Sequence, residues 1–331
     1  LASFSGIISA FVDNVSTVLM IAPVAVSISK KLKFSPVAMV IAIAAASNIE
    51  GSATLVGDTT SIMLASAAKM DFLDFFWFNG RPSLFWINQI GLLAAISTLY
   101  VRFRKQNSPI AKQEVTVVND YVPSALLLMM IASLIIASFF QNKPQITNGV
   151  ICVSYLIIGL IFYLIKHKNF TMIKAVFKDL DYFTLLLLAS LFVIIAGIEH
   201  VGIIDALATQ IVKIGGKNLF FMYSLILWIS VLASAFIDNI PYVATMLPVV
   251  AGISSAMGIR PYVLYFGLII GATLGGNLTP IGASANIAGI GILRKEGYEV
   301  KNSDFFKISI PFTLAPVLAG YAFVWLTFRN V

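Results

Sequence analysis

Apolar stretches of about 20 residues, the length that crosses the hydrocarbon core of a bilayer, follow one another along most of this chain, and several are broken in their middles. Leu84–Val101, Val122–Phe140, Val150–Ile165 and Tyr182–His200 read as uninterrupted spans, and Phe306–Phe328 as a further one that carries Pro311 and Pro316. The stretch 4–29 is cut by Asp13-Asn14 and Pro23, and 37–68 is cut at 47–54 and again at 57–61. Likewise 219–255 is cut by Asp238-Asn239-Ile240-Pro241, and 262–293 by 275–280 and 282–286. Lipid offers no partner to bare N–H and C=O groups, so backbone broken at membrane depth is buried in protein or lines a wet cavity. Four such interruptions point to a site.

Composition agrees. Of the 331 residues, 59% are hydrophobic and 11% charged, against about 25% charged in a soluble domain. That excludes a soluble enzyme, a disordered chain and a nucleic-acid reader, and indicates a multi-pass protein of the lipid bilayer, expected in the plasma (inner) membrane. The net charge of +7 then reads as cationic cytoplasmic loops. With one cysteine, Cys152, and two distant histidines, His167 and His200, neither a disulfide framework nor a zinc site is expected. No cofactor is expected beyond a coupling ion, Na⁺ or H⁺.

The interruptions repeat. Ser9-Ala10-Phe11-Val12-Asp13-Asn14-Val15 matches Ser234-Ala235-Phe236-Ile237-Asp238-Asn239-Ile240 at an offset of 225. At the same offset Pro23 meets Pro248 and Pro36 meets Pro261; Gly51, Thr54, Gly57 and Ile62 meet Gly276, Thr279, Gly282 and Ile287. The register holds without a gap over 54 residues, which marks an internal duplication. Residues 1–121 form the first repeat (hairpin 4–29, broken helix 37–68, span 84–101). Residues 122–331 form the second (spans 122–140, 150–165 and 182–200, hairpin 219–255, broken helix 262–293, span 306–328). The first copy has only about ten residues ahead of Asp13, so the native protein is expected to carry further N-terminal helices; the chain opens at Leu1, without a signal peptide.

Parity orients the copies. If 4–29 and 219–255 dip in and leave on one side, five crossings lie between them, and the repeats are inverted. Lys30, Lys31, Lys33, Arg102, Arg104, Lys105, Lys112, Lys166, Lys168, Lys174, Lys178, Arg294, Lys295, Lys301 and Lys307 then share one face, which is 15 of the 22 basic residues. The positive-inside rule makes that face cytoplasmic. The expected fold is an all-α polytopic membrane protein with inverted repeats, two re-entrant hairpins and two discontinuous transmembrane helices.

A helix broken in mid-membrane aims unpaired backbone groups and a partial charge into its break. Gly51, Gly57, Gly275, Gly276 and Gly282 let the backbone turn there, while Ser47, Asn48, Thr54, Asn277, Thr279, Ser284 and Asn286 supply neutral oxygens and amides. Four acids, Asp13, Glu50, Asp58 and Asp238, sit in or beside the breaks with no Lys or Arg among them. Such carboxyls are protonated, cation-bound or wet. For Asp13 and Asp238 the alternative is a plain helix cap. For Glu50 and Asp58, replaced by Gly275 and Ala283 in the second copy, a watery vestibule is an equal alternative. The aromatic run Phe72–Phe78 reads as an anchor at the membrane surface, and Lys166–Asp181 as a solvated loop.

Phe11-Val12-Asp13-Asn14-Val15-Ser16-Thr17 with Pro23, Ser47-Asn48…Gly51…Thr54-Leu55-Val56-Gly57-Asp58, and Gly275-Gly276-Asn277…Thr279…Ile281-Gly282-Ala283-Ser284-Ala285-Asn286 resemble the ion transporter superfamily. The most similar branch holds the arsenite permeases, the melanosomal P proteins and citrate-transporter-like permeases. The resemblance covers essentially the whole chain. It implies a scaffold domain and a moving transport domain, elevator-type alternating access, and ion-coupled movement of a small inorganic or organic anion. Ion and substrate would bind at Asp13, Asn14, Thr17, Ser47, Asn48, Gly51, Thr54, Gly57, Asp58, Thr60, Asp238, Asn239, Gly276, Asn277, Thr279, Gly282, Ser284 and Asn286, with Na⁺ at Asp13, Asn14, Asp238 and Asn239. The chain departs from the superfamily's dicarboxylate carriers at the tips, Asp-Asn instead of Ser-Asn-Thr, and at Gly57-Asp58-Thr59-Thr60-Ser61. A more acidic site suits a neutral or protonated substrate, a cation, or an anion carried with bound cations.

Three alternatives stay open. A Na⁺/H⁺ antiporter needs no organic substrate, and a channel no alternating access. An intramembrane aspartyl protease would pair Asp58 with Asp13 across a shared proton, which leaves the second tip at Asp238 without a purpose. No nucleotide-binding loop is present for ATP-driven pumping. Oligomeric state is open, with a homodimer as one arrangement.

Overall fold

The computed structural model describes residues 1–104, 120–140, 143, 144, 146–168, 174, 176–178, 182–216 and 218–330. Lys105 and Lys112, counted in the charge bias above, Lys217 and most of 169–181 lie outside the described residues. The helices are α1 (Ala2–Ser9), α2 (Asn14–Lys31), α3 (Val37–Gly51), α4 (Thr59–Ala68), α5 (Leu84–Phe103), α6 (Val122–Ser138), α7 (Thr147–His167) and α8 (Tyr182–His200). They continue with α9 (Ile203–Gly215), α10 (Leu219–Ser234), α11 (Asn239–Met257), α12 (Tyr262–Gly275), α13 (Ser284–Lys295) and α14 (Asn302–Phe328). Among them α5, α7, α11 and α14 are long and apolar enough to cross a membrane, and α3, α4, α6, α10 and α12 are shorter apolar helices. The protein is all-α and membrane-embedded.

Two compact units arise: Leu1–Ser108 with Leu191–Val331, and Pro109–Ser190. In the second, α6 packs on α7, and Ser133 and Tyr155 share a hydrogen bond of 2.8 Å. The first unit holds every interrupted stretch. Each break falls where the sequence loses its apolar run: between α1 and α2 at Asp13, between α3 and α4 over 52–58, between α10 and α11 at Asp238, and between α12 and α13 over 276–283.

Packing in this unit repeats with the 225 offset. Helix α1 packs on α3, and α10 on α12; α2 packs on α13, and its counterpart α11 on α4. In the second copy α12 offers Gly267, Gly271 and Gly275 to α10, where a Cβ at Gly271 or Gly275 would strike the backbone carbonyl of Leu227 or Val231. The two helices therefore touch backbone to backbone. The equivalent positions of α3 are Ala42, Ala46 and Glu50. A second apolar cluster binds α2, α3 and α13 through Val18, Ala22, Val40, Ile43, Ala285 and Leu293.

Two features differ from the sequence reading. The run Phe72–Phe78 is not a surface anchor. Phe72 and Phe75 are fully buried, and Phe78 stacks edge-on against Tyr262 and Phe266 at 4.8 and 5.7 Å. Only Trp77, 55% exposed, points out. The cause is a tight hairpin: Asn79 and Gly80 both take positive φ, which turns Trp77–Phe78 back onto Arg81–Pro82 and drives alternate aromatics inward. Arg81 then donates to the Thr327 carbonyl, fastening the hairpin to the end of α14. The second is α9, a helix of 13 residues that packs on α11. Its mixed polar and apolar sequence is too short and too polar to register as a span.

Candidate functional site

Asp13 and Asp238 cap the helices that follow them. Asp13 Oδ2 accepts from Ser16 N at 3.0 Å, and Asp238 Oδ1 from Ile240 N at 3.1 Å. The capping alternative raised by the sequence is thus realised at both tips, each cap contributing about 1 kcal/mol. Capping leaves lone pairs over. Asp238 Oδ2 also accepts from Ser284 Oγ at 2.7 Å, which ties the start of α11 to the start of α13. Asn14, buried in the first turn of α2, donates to Asn48 Oδ1 at 2.9 Å and stands 3.5 Å from Asp58 Oδ2, at the start of α4. Asp58 is buried and within electrostatic reach of both Asp13 and Asp238. Four helix N-termini, those of α2, α4, α11 and α13, therefore meet at one mouth, and three of their four N-cap residues are aspartates.

Below the mouth the halves join. Asn48 donates to Asn277 Oδ1 at 2.7 Å, and Asn277 Nδ2 donates to the Ala45 carbonyl at 3.1 Å. A second bond, Ser52 Oγ to Thr273 Oγ1 at 3.4 Å, crosses the same boundary. Shifted by 225, Asn48 becomes Thr273 and Asn277 becomes Ser52. Each cross-bond is thus the image of the other, the signature of a two-fold contact.

Other sequence candidates serve the breaks themselves. Thr54 donates to the Ala10 carbonyl and Thr279 to that of Ala235. Ser61 Oγ reaches the Gly51 carbonyl at 3.2 Å, and Asn286 Nδ2 the Gly276 carbonyl at 3.0 Å, again 225 residues on. Ser47 Oγ lies 2.9 Å from Ser9 Oγ and 3.1 Å from the Asn14 carbonyl oxygen. Thr17 Oγ1 stands 3.4 Å from the Val12 carbonyl. A Cβ at Gly57 would meet the carbonyl oxygens of Gly51, Ser9 and Ala10, and one at Gly282 those of Gly276, Ala235 and Ser234. Thr60 and Asn239 are buried in the first turns of α4 and α11. The structure therefore gathers Asp13, Asn14, Asp58, Asp238 and Ser284 at the mouth, with Asn48 and Asn277 beneath it. Thr17, Ser47, Thr54, Thr279 and Asn286 are spent on bracing backbone.

Sequence reading passed over two polar partners. Asn88 Nδ2 donates to Ser52 Oγ at 2.9 Å, extending the Ser52–Thr273 bond, and Gln89 Nε2 donates to Glu50 Oε2 at 2.6 Å. Asn88-Gln89 is a polar pair inside the otherwise apolar start of α5, and polar residues at that depth are themselves a signal. Among the described residues no group of three or more His, Cys, Asp or Glu could hold a metal ion.

The model of the citrate transporter family matches residues 1–271. The chain belongs to that family. Over 328 residues it is 32% identical to an uncharacterized transporter of Mycobacterium tuberculosis, covering 98% of this chain and 75% of the relative. It is 30% identical over 326 residues to a 46 kDa membrane protein of Mycobacterium leprae, covering 97% and 74%. Human P protein is 26% identical over 405 residues, covering 98% of this chain and 48% of the P protein. As a citrate transporter family member the protein is an integral membrane transporter and not an enzyme, which removes the aspartyl-protease reading.

Proposed function

We propose that the protein is an ion-coupled secondary transporter of a small anion, with a citrate-like carboxylate as first candidate and an arsenite-like oxyanion as second. The observation that carries this reading is the meeting of four helix N-termini at one mouth. Each end contributes about half a positive charge and bare N–H donors, the ordinary furniture of an anion site. Asp13, Asp58 and Asp238 offset that charge, and no ion pair among the described residues relieves them. An anion is then held only together with a proton or a cation, Na⁺ at Asp13-Asn14 and Asp238-Asn239 in this scheme. We read α1–α2 and α10–α11 as re-entrant hairpins of two inverted repeats that carry the mouth across the membrane as a body; the paired cross-bonds and the matched braces support it. Uptake of citrate and of arsenite into proteoliposomes, each with an imposed Na⁺ or H⁺ gradient, is the test. No accumulation of either solute under either gradient defeats the proposal.

The three carboxylates also favour a second reading, a Na⁺/H⁺ antiporter. Vesicles containing no organic solute decide it, because only the antiporter acidifies or alkalinises its lumen when Na⁺ alone is supplied.

Two outcomes follow. Single cysteines at Lys31 and Lys168 label only from the cytoplasm and one at Lys143 only from outside; labelling of 31 and 143 from one face contradicts inversion. If Na⁺ binds at the tips, it stabilises the folded state by about 2.7 kcal/mol at a hundredfold excess over Kd. The melting temperature in detergent then rises with NaCl but not with choline chloride at equal ionic strength, and Asp13→Asn or Asp238→Asn blunts the rise.

A further inference from the structure

Glu50 is the one acid of the breaks that faces away from the mouth. It sits one residue before the end of α3, is 0% exposed, and is gripped from α5 by Gln89, whose Nε2 donates to Oε2 at 2.6 Å. Its other oxygen, Oε1, is buried without a hydrogen-bond partner. Across from it α1 presents Gly6, where a Cβ would come within 3.2 Å of the Glu50 side chain.

No charge balances this carboxyl. Helices α1 and α5 present Ser5, Ser9, Asn88 and Gln89 to α3 and the residue that follows it, none of them titratable. The charged residues of the other elements on α3 are engaged or remote. Lys30 of α2 pairs with Glu296 at 2.5 Å, and Lys307 of α14 with Asp304 at 3.5 Å. Lys31, Arg102, Arg294 and Lys295 stand in the last turns of α2, α5 and α13. Tyr262 and Tyr265 open α12, and Tyr321 of α14 shares a hydrogen bond with Ser224. Asp13 and Asp58 lie across the break. No ion pair among the described residues involves Glu50, and its polar contact is the Gln89 amide. The C-terminal end of α3 adds its own partial negative charge. The Gln89 N–H serves Oε2, but a single neutral amide does not offset the burial of a full charge, so the site suits the carboxyl with its proton.

The second repeat shows that the acid is not a packing requirement. Its equivalent, Gly275, has the Val231 carbonyl oxygen 2.5 Å from where a Cβ would stand, so the later copy closes this space completely. The first copy keeps it open and fills it with a carboxyl and an amide.

We propose that Glu50, held by Gln89 between α1, α3 and α5, is a proton-binding site, one per chain, distinct from the mouth formed by Asp13, Asp58 and Asp238. Gly51 follows directly. Its carbonyl receives Ser61 Oγ at 3.2 Å, and it lies against Asp58, so a proton lost at Glu50 is felt one residue from the turn that positions the mouth. That this proton drives transport rests on the ion-coupled reading above; that Glu50 holds it does not.

The experiment has two arms on the full chain. Infrared spectra of the purified protein at neutral pH should contain a carboxylic-acid C=O band that shifts in D₂O, is lost in Glu50→Gln and persists in Asp58→Asn. A band unchanged in Glu50→Gln overturns the proposal, and so does a wild-type band that disappears on adding NaCl at constant pH, which would assign the site to Na⁺. Gel filtration establishes that Glu50→Gln folds; should it aggregate, Gln89→Leu, which removes only the bond to Oε2, should move the same band, and an unmoved band overturns the assignment. In proteoliposomes the stimulation of radiolabelled citrate uptake by an inward proton gradient should be lost in Glu50→Gln. Stimulation equal to wild type overturns the coupling role. If the wild type moves no citrate, the substrate proposed above fails and the infrared arm still decides Glu50.

Discussion

Alanine at Gly57 or at Gly282 is expected to abolish transport and to cost the fold at least about 3 kcal/mol, the upper range for forced overpacking of a rigid interior. At each position a single added carbon meets three backbone carbonyl oxygens, from 2.5 to 3.0 Å at Gly57 and from 2.6 to 2.8 Å at Gly282. Backbone cannot swing aside as a flexible side chain can. Those carbonyls belong to the neighbouring tip (Ser9 and Ala10, or Ser234 and Ala235) and to the opposite side of the same break. Relief would therefore have to pull the tip away from the broken helix and open the braces made by Thr54 or Thr279. Gly291→Ala is the control. Nothing stands within 4 Å of its Cβ position inside α13, and helix propensity favours alanine there by up to about 1 kcal/mol. Melting in detergent and solute uptake report both effects. Normal melting and uptake for Gly57→Ala and Gly282→Ala would show that the breaks yield more than their packing allows.

Asn277→Leu is expected to be nearly as severe, for a different reason. Asn277 is fully buried and answers two groups at once, Asn48 Nδ2 and the Ala45 carbonyl. Leucine of similar volume leaves the buried Asn48 Nδ2 unpaired, at about 1–3 kcal/mol for a buried orphan, and removes the second bond to the Ala45 carbonyl, which keeps its place in α3. It also frees Asn48, which in turn positions Asn14 beside Asp58. Uptake should fall to background and the melting temperature should drop. A double-mutant cycle with Asn48→Ala measures the coupling directly, and additive losses would show that the two amides act independently.

The breaks were legible because membrane-depth Asp, Asn and Gly have no cheap place elsewhere, and because a gap-free offset put them in register. Helix ends at Gly51, Thr59, Gly275 and Ser284 fall within the segments that the sequence marks. The joint between the halves was not legible. Asn48 and Asn277 are not equivalents under the offset, so comparing the copies pairs each with the wrong residue, Thr273 and Ser52. Only folding places non-equivalent positions face to face across a two-fold relation. The aromatic hairpin failed for a local reason: Asn79-Gly80 is the turn signal that reverses the chain, and reading the aromatics as one run hid it. Gln89 escaped because a single amide in a span looks like tolerance until its partner is known.

The glycine stripe of α12 bears on how the protein is assembled after insertion. In lipid, helices gain nothing by hiding apolar surface from water, and association depends on how closely they can approach. Gly267, Gly271 and Gly275 allow α10 and α12 that approach unaided, whereas α3 carries Ala42, Ala46 and Glu50 at the same positions, which leaves an acid to be answered by α5. The later half of the chain can therefore dock as soon as its helices are in the bilayer. The earlier half stays incomplete until α5 follows it and brings Gln89 to Glu50, so its assembly joins three helices where the later half joins two.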